Sequence, residues 1–194
     1  MSVNQEEVAR LFEESDALLR GHFLLTSGLH SDKYFEKFAV LQRPEKTELL
    51  CKEIARRFEQ DGVEVVIGPA VGGILLAHEV AKALKTRAHF TEREGGRMAL
   101  RRGFTVAPGE RVLVVEDVTT TGGSVREVLD CVRSSGGDVI GVGLLVDRSE
   151  QGMDFGVKTE ALLRMPVSAY PPAECPLCRD AVPLTARGSR HTAS

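Results

Sequence analysis

The residues best suited to chemistry are gathered in one place, where positions 112–125 read VLVVEDVTTTGGSV. Four apolar residues, 112–115, read as a buried strand that ends in two adjacent carboxylates, Glu116 and Asp117. Val118 leads into a loop in which Thr119, Thr120, Thr121 and Ser124 offer hydroxyl donors. Gly122 and Gly123 allow positive φ and close approach of the backbone to an anion. A helical pattern then opens, with Val125, Val128, Leu129 and Val132 at i, i+3, i+4 and i+7, and a helix N-terminus favours negative charge. The acids can accept hydrogen bonds from vicinal hydroxyls and stabilise positive charge developing on a sugar ring. The amides can hold a phosphate. The pattern therefore suits a hydroxylated, phosphorylated sugar. It is not a Walker A loop, because no lysine follows the glycines, and the first strand of the α/β portion lacks a GxGxxG dinucleotide fingerprint.

The elements that must position this loop follow from periodicity. Residues 5–20 read as a helix, with Val8, Leu11, Phe12, Ala17, Leu18 and Leu19 on an approximate apolar face and Gly21 closing it. HFLLTSGLHSDKYFEKF reads as two short strands about a turn at Ser27–Gly28. Pro44 precedes a helix carrying Leu50, Ile54 and Phe58. From there strands and helices alternate: VEVVIG, the tight loop GPAVGG, the helix ILLAHEVAKAL, a short strand RAHF, then VLVV, a helix over 123–135, and VIGVGLLVD. TEREGGRMALRRGF between RAHF and VLVV is a polar, basic loop with hairpin character. Continuous apolar strands separated by amphipathic helices imply a parallel sheet covered on both faces. Ligands of such sheets bind beyond the carboxyl ends of the strands. GPAVGG, EDVTTTGGS and DRSEQG should therefore converge on one cleft.

Bulk properties narrow the class. The 194 residues fit one domain, or one domain with a small appendage. A net charge of −3 gives no general attraction to nucleic acid or to an anionic membrane. The charged start is not a secretory signal, no apolar run reaches spanning length, and the expectation is a cytoplasmic protein. Four cysteines do not make a disulfide scaffold. Cys51 and Cys131 fall on helices as core thiols. Cys175-Pro-Leu-Cys178 is half of a zinc knuckle without a second CxxC; His191, or a second chain, could supply further ligands, but ordinary thiols are the simpler expectation. The polar tail from about residue 186 is expected to fray.

EDVTTTGGS after VLVV resembles the phosphoribosyl pyrophosphate (PRPP) motif of the type I phosphoribosyltransferases. FLLTSGLHSDKYF is similar to the N-terminal hood of the orotate-specific members, DRSEQG to their segment carrying an orotate-binding arginine, and GPAVGG and MALRRGF match bacterial forms. The resemblance implies an α/β parallel-sheet core with helices on both faces and a small N-terminal hood. It divides the chain into a helix and hood at about 1–40, a core at about 46–165 and a C-terminal extension at about 166–194, all in one phosphoribosyltransferase domain.

The resemblance also implies a reaction: PRPP and orotate give orotidine 5′-monophosphate and pyrophosphate, with Mg²⁺, in pyrimidine biosynthesis. The implied PRPP-binding residues are Glu116, Asp117, Val118, Thr119, Thr120, Thr121, Gly122, Gly123 and Ser124. Glu116 and Asp117 are the expected catalytic pair, acting largely through ribose hydroxyls and waters, with no direct metal ligand assigned. Arg148, Thr120 and Phe35 are expected at orotate, Arg148 because its planar fork can pair bidentately with a carboxylate or ring. Tyr34 is a further candidate for stacking. Arg93, Arg97, Arg101 and Arg102 suit a lid over pyrophosphate, with Arg93 as the expected catalytic lid cation. In the family the lid often crosses into a neighbouring subunit, implying a homodimer. This lid has none of the usual lysines or histidine. Gly72 and Thr26 also stand where relatives carry lysines, so residues 70–73 would offer pyrophosphate only backbone amides. The rivals are a purine phosphoribosyltransferase and a non-catalytic PRPP-binding regulator.

Overall fold

The computed structural model describes residues 3–25 and 27–186. The polar tail, with His191, and Thr26 lie outside the described residues. Helix α1 (Gln5–Glu13) starts in a capping box, in which Asn4 accepts from the Glu7 amide and Glu7 accepts from the Asn4 amide. It stops seven residues short of the expected end at residue 20. Asp16 adopts a left-handed φ of 54°, and the Ala17 amide closes back onto the Phe12 carbonyl at 2.8 Å, a helix-terminating pattern. The apolar triplet after this turn is not a fourth helical turn. It enters β1 (Leu18–Leu24), so Gly21 lies inside a strand rather than at a helix end.

Strand β1 pairs antiparallel with β2 (His30–Phe35), as the Ser27–Gly28 turn predicts. A short helix α2 (Lys37–Leu41) leads to α3 (Pro44–Phe58), with Pro44 in its first turn. Then follow β3 (Val65–Pro69), α4 (Gly72–Leu84), β4 (Arg87–Glu94), β5 (Arg97–Leu100), β6 (Arg111–Thr119), α5 (Gly123–Ser134) and β7 (Asp138–Asp147). The basic segment is a regular β4–β5 hairpin on the two-residue turn Gly95–Gly96, so the strand begun by RAHF runs four residues further than its apolar part suggests. The chain continues through β8 (Lys158–Arg164), β9 (Ala169–Tyr170), a 3₁₀ turn (Pro172–Glu174), α6 (Pro176–Arg179) and β10 (Thr185–Ala186).

Two sheets result. The larger has the order β5-β4-β3-β6-β7-β8, all parallel except the hairpin partner β5. The smaller, β10-β1-β2-β9, is the hood and draws its outer strands from the C-terminal segment. Alternation along β6 explains why a continuous apolar run was needed. Leu113 and Val115 join one buried cluster with α1, α3 and α4. Val112 and Val114 join another with α5 on the opposite face. Among the described residues, no helix is long and apolar enough to cross a membrane.

Candidate active site

Parallel strands place the ends of β3, β6 and β7 on one edge, and the three expected loops do meet there. The amide of Arg148, just past β7, donates to the Thr119 carbonyl at the end of β6 (2.9 Å). Gly72, at the start of α4, packs against Asp117 so closely that an added Cβ would overlap the carboxylate. Gly122, at φ 74°, caps α5 and leaves no room for a side chain beside Phe155 and Met153 of the segment after β7. Its amide donates to Thr119 Oγ1 (3.1 Å).

The first turn of α5 carries no acidic residue and no side chain caps it. Its terminal amides are thus available to an anion. They border a cleft of about 190 Å³ lined by Glu116 and residues 118–124. A larger cleft of about 670 Å³ lies between β5 and α5. Its lining includes Glu127 and Asp130 but neither the acid pair nor the glycine loop, so the smaller cleft is the one that borders the candidate site.

Both carboxylates are buried, Asp117 at 1% exposure and Glu116 at 8%. Glu116 Oε1 accepts from the Asp117 amide (3.0 Å), and Asp117 Oδ1 from the Val118 amide (2.6 Å). Burial, followed by the neighbouring Asp117 charge, pushes the Glu116 carboxyl up to about 8. Asp117 has a partner that local sequence could not reveal. Lys37, at the start of α2, donates to Oδ1 (3.1 Å) and lies 2.8 Å from Oδ2. Oδ2 itself has no partner in hydrogen-bond geometry. Burial works to lower the Lys37 pKa, but the charge and hydrogen bond of Asp117, with Glu116 behind, outweigh it and leave it raised. The Lys37 ammonium lies 3.5 Å from where a Cβ on Gly72 would stand. A cation therefore occupies the neighbourhood of the lysine missing at position 72, supplied by the hood.

Arg148 is largely buried, and that burial lowers its pKa, with Tyr34 acting in the opposite sense. Its Nε has no hydrogen-bond partner. Asp147 does not take it up, since its oxygens accept from Ser149 N and Oγ and from Met153 N. The guanidinium instead lies 5.3 Å from the centre of the Phe35 ring. Phe35 is itself buried and meets Phe12 edge-on at 6.1 Å. Phe35 thus packs in the core while touching Arg148. Arg93 is exposed and held by Glu127 of α5 (2.9 and 3.1 Å) and by the Gly96 carbonyl. Arg101 and Arg102 pair with Glu94 and Glu92 within the hairpin.

This succession of strand, acid pair, glycine loop and helix lies in the stretch matched by the family model of the phosphoribosyl transferase domain, residues 41–155. An orotate phosphoribosyltransferase of Pelotomaculum thermopropionicum is 56% identical over 188 residues, covering 97% of this chain and 99% of the relative. One from Desulforamulus reducens is 56% identical over 97% and 98%. The crystal structure of orotate phosphoribosyltransferase from Aeropyrum pernix aligns with a TM-score of 0.65 and 26% identity, over 81% of this chain and 93% of that one. The chain belongs to the phosphoribosyltransferase family, in its orotate phosphoribosyltransferase branch.

Proposed function

We propose that this chain transfers the phosphoribosyl group of PRPP to orotate, giving orotidine 5′-monophosphate and pyrophosphate in pyrimidine biosynthesis. The observation that carries the reading is a buried acid pair at the mouth of an uncapped helix, on the edge where three loops converge. The 5′-phosphate is received by backbone amides and hydroxyls of residues 119–124. The ribose hydroxyls face Glu116 and Asp117. Asp117 supplies the charge that stabilises the positive charge growing at the anomeric carbon, while Glu116, its carboxyl pushed up to about 8 by burial, serves the hydroxyls. Arg148 pairs with orotate, helped by Thr120. Phe35 supports the Arg148 guanidinium from below, so its contribution to orotate is largely one of positioning.

Mg²⁺ fits this edge. Asp117 Oδ2 is buried without a hydrogen-bond partner, and the acid pair offers oxygen donors, the set a hard cation takes. Lys37 already stands 2.8 Å from that oxygen, which favours contact through ribose hydroxyls and waters over direct ligation. When bound, the ion supplies charge neutralisation to the departing pyrophosphate. Lys37 adds a second positive charge on the same side, and the hairpin arginines add more as a lid shared between the subunits of a homodimer. Arg93 must leave Glu127 to take part. An exposed ion pair is worth about 1 kcal/mol or less, so that exchange costs little.

The test is loss of orotate absorbance on adding PRPP, with and without Mg²⁺, alongside adenine, guanine, hypoxanthine and xanthine. Turnover of orotate alone is expected. Turnover of a purine instead, or PRPP binding without turnover of any base, would overturn the assignment.

A further inference from the structure

Far along the chain from the acid pair, four side chains converge that the transferase chemistry does not use. His22 on β1, His30 at the start of β2, and Cys175 and Cys178 around α6 bring their ligand atoms within 4.8 Å of one another. His22 Nε2 is 2.9 Å from His30 Nδ1 and 3.5 and 3.8 Å from the sulfurs of Cys175 and Cys178. Cys178 Sγ is 3.3 Å from His30 Nδ1. With metal–sulfur bonds near 2.3 Å and metal–nitrogen bonds near 2.0–2.1 Å, the edges of a Cys₂His₂ tetrahedron are about 3.3–3.8 Å. Four of the six separations run from 2.9 to 3.8 Å, with the two nitrogens a few tenths of an ångström close. All six lie within 4.8 Å, so the widest edge must draw in by about 1 Å on binding.

We propose that these four residues bind one structural Zn²⁺. CxxC alone is half a site, and the missing half comes from the hood hairpin, not from the polar tail or a second chain. The pairing register places Leu24 opposite His30. The pairing shifts register between Arg20 and Phe23, and at this irregularity the His22 ring turns onto His30, edge-on with centroids 4.8 Å apart. The imidazole of His22 is already oriented. Its Nδ1 donates to the Val182 carbonyl at 2.8 Å, which fixes the tautomer and turns the Nε2 lone pair toward the cluster, the usual outer support of a ligating histidine.

Charge and size select the ion. Two thiolates and two neutral imidazoles around Zn²⁺ sum to zero, so His22, His30 and Cys175, all at least 95% buried, carry no excess charge into the interior. Binding releases the two thiol protons to solvent. A two-iron cluster also uses two cysteines and two histidines but divides them between separate irons. Four ligand atoms this close suit a single ion.

The segment it would hold needs such an anchor. Between residues 166 and 186 only Val167 and Cys175 are buried. The segment reaches the hood through short pairings of β9 with β2 and β10 with β1. So little apolar area gives a weak core of its own, the condition in which small elements rely on metals. The ion would tie β1, β2 and the C-terminal segment into one unit.

The experiment measures metal in the full-length chain, expressed without a tag in zinc-supplemented medium and purified under reducing conditions. Plasma mass spectrometry should find close to one zinc per chain. Cobalt added to the chelator-stripped protein should give the visible bands and thiolate charge-transfer absorption of tetrahedral S₂N₂ coordination. Cys178→Ser and His30→Ala should each lower zinc affinity by at least tenfold. Cys178 is exposed, so its substitution leaves the packing in place, as circular dichroism would verify. Chelation should lower the wild-type Tm and not that of Cys178→Ser. Zinc below one tenth per chain, iron or copper in its place, a Cys175–Cys178 disulfide in the reduced preparation, or full zinc retention in both variants would overturn the proposal.

Discussion

The edge of the large sheet and the hood sheet are built on opposite principles. At the sheet edge, the proposed PRPP site lies in nine consecutive residues, 116–124, and a strand, a turn and a helix start place all of them. In the hood, the contacts that complete each candidate site are long-range. Lys37 reaches Asp117 across 80 positions, and His22 meets Cys175 across 153. The first region is organised by backbone, through amides and a left-handed glycine. The second is organised by side chains from separate segments. Substitutions at the edge should therefore alter chemistry while sparing the fold. Those in the hood cluster should loosen the hood and its C-terminal strap first.

The largest effect is expected from Asp117→Asn. Losing one preorganised charge at the reacting sugar should lower kcat by roughly 10²–10³-fold, with an unchanged circular dichroism spectrum. Near-normal turnover would place the acids away from the ribose and erase the contrast between the regions. Arg148→Ala comes next. Losing a buried charged partner costs about 2 kcal/mol or more, so the KM for orotate should rise by roughly 30-fold or more while that for PRPP changes little. Equal losses for both would remove Arg148 from the base.

Glu116→Gln separates function from stability within the edge itself. The folded state keeps the Glu116 proton to about pH 8, whereas an ordinary glutamate loses it near 4.5. Between those values the native state binds more protons than the unfolded one, so this group's contribution to stability falls as pH rises. The Tm of Glu116→Gln relative to wild type should climb from pH 5 to pH 8.5 while turnover drops. A constant difference across that range would show that burial does not hold the proton. The smallest effect belongs to the lid. Arg93→Ala should slow turnover by no more than about fivefold, the scale of an exposed ionic contact. Full rate and full pyrophosphate affinity would shift that role to Arg97, which lies outside the hairpin's pairs with Glu92, Glu94 and Glu127.

What the sequence made legible follows the same division. VLVVEDVTTTGGSV could be read outright, because a buried strand, an acid pair and a helix start are local patterns, and parallel topology then forces the neighbouring loops together. The β4–β5 hairpin was half legible, since Gly95–Gly96 marks a turn but polar strand residues hide the pairing. The end of α1 was misread because Leu18 and Leu19 continue a helical stripe as readily as they begin a strand; left-handed Asp16 decides between them. β8 escaped notice because KTEALLR, on the sheet edge, has weak alternation. Lys37 carried no local sign at all, and its role depends on where the hood comes to rest. CxxC was visible as half a site, but His22 and His30 become its complement only through the register of β1 on β2.

The most direct test of the central claim is a crystal structure of the chain with PRPP and Mg²⁺. The account predicts the 5′-phosphate on the amides of residues 119–124, with the ribose hydroxyls turned to Glu116 and Asp117. A donor seated in the β5–α5 cleft, or anywhere off the carboxyl edge of β6, would contradict it.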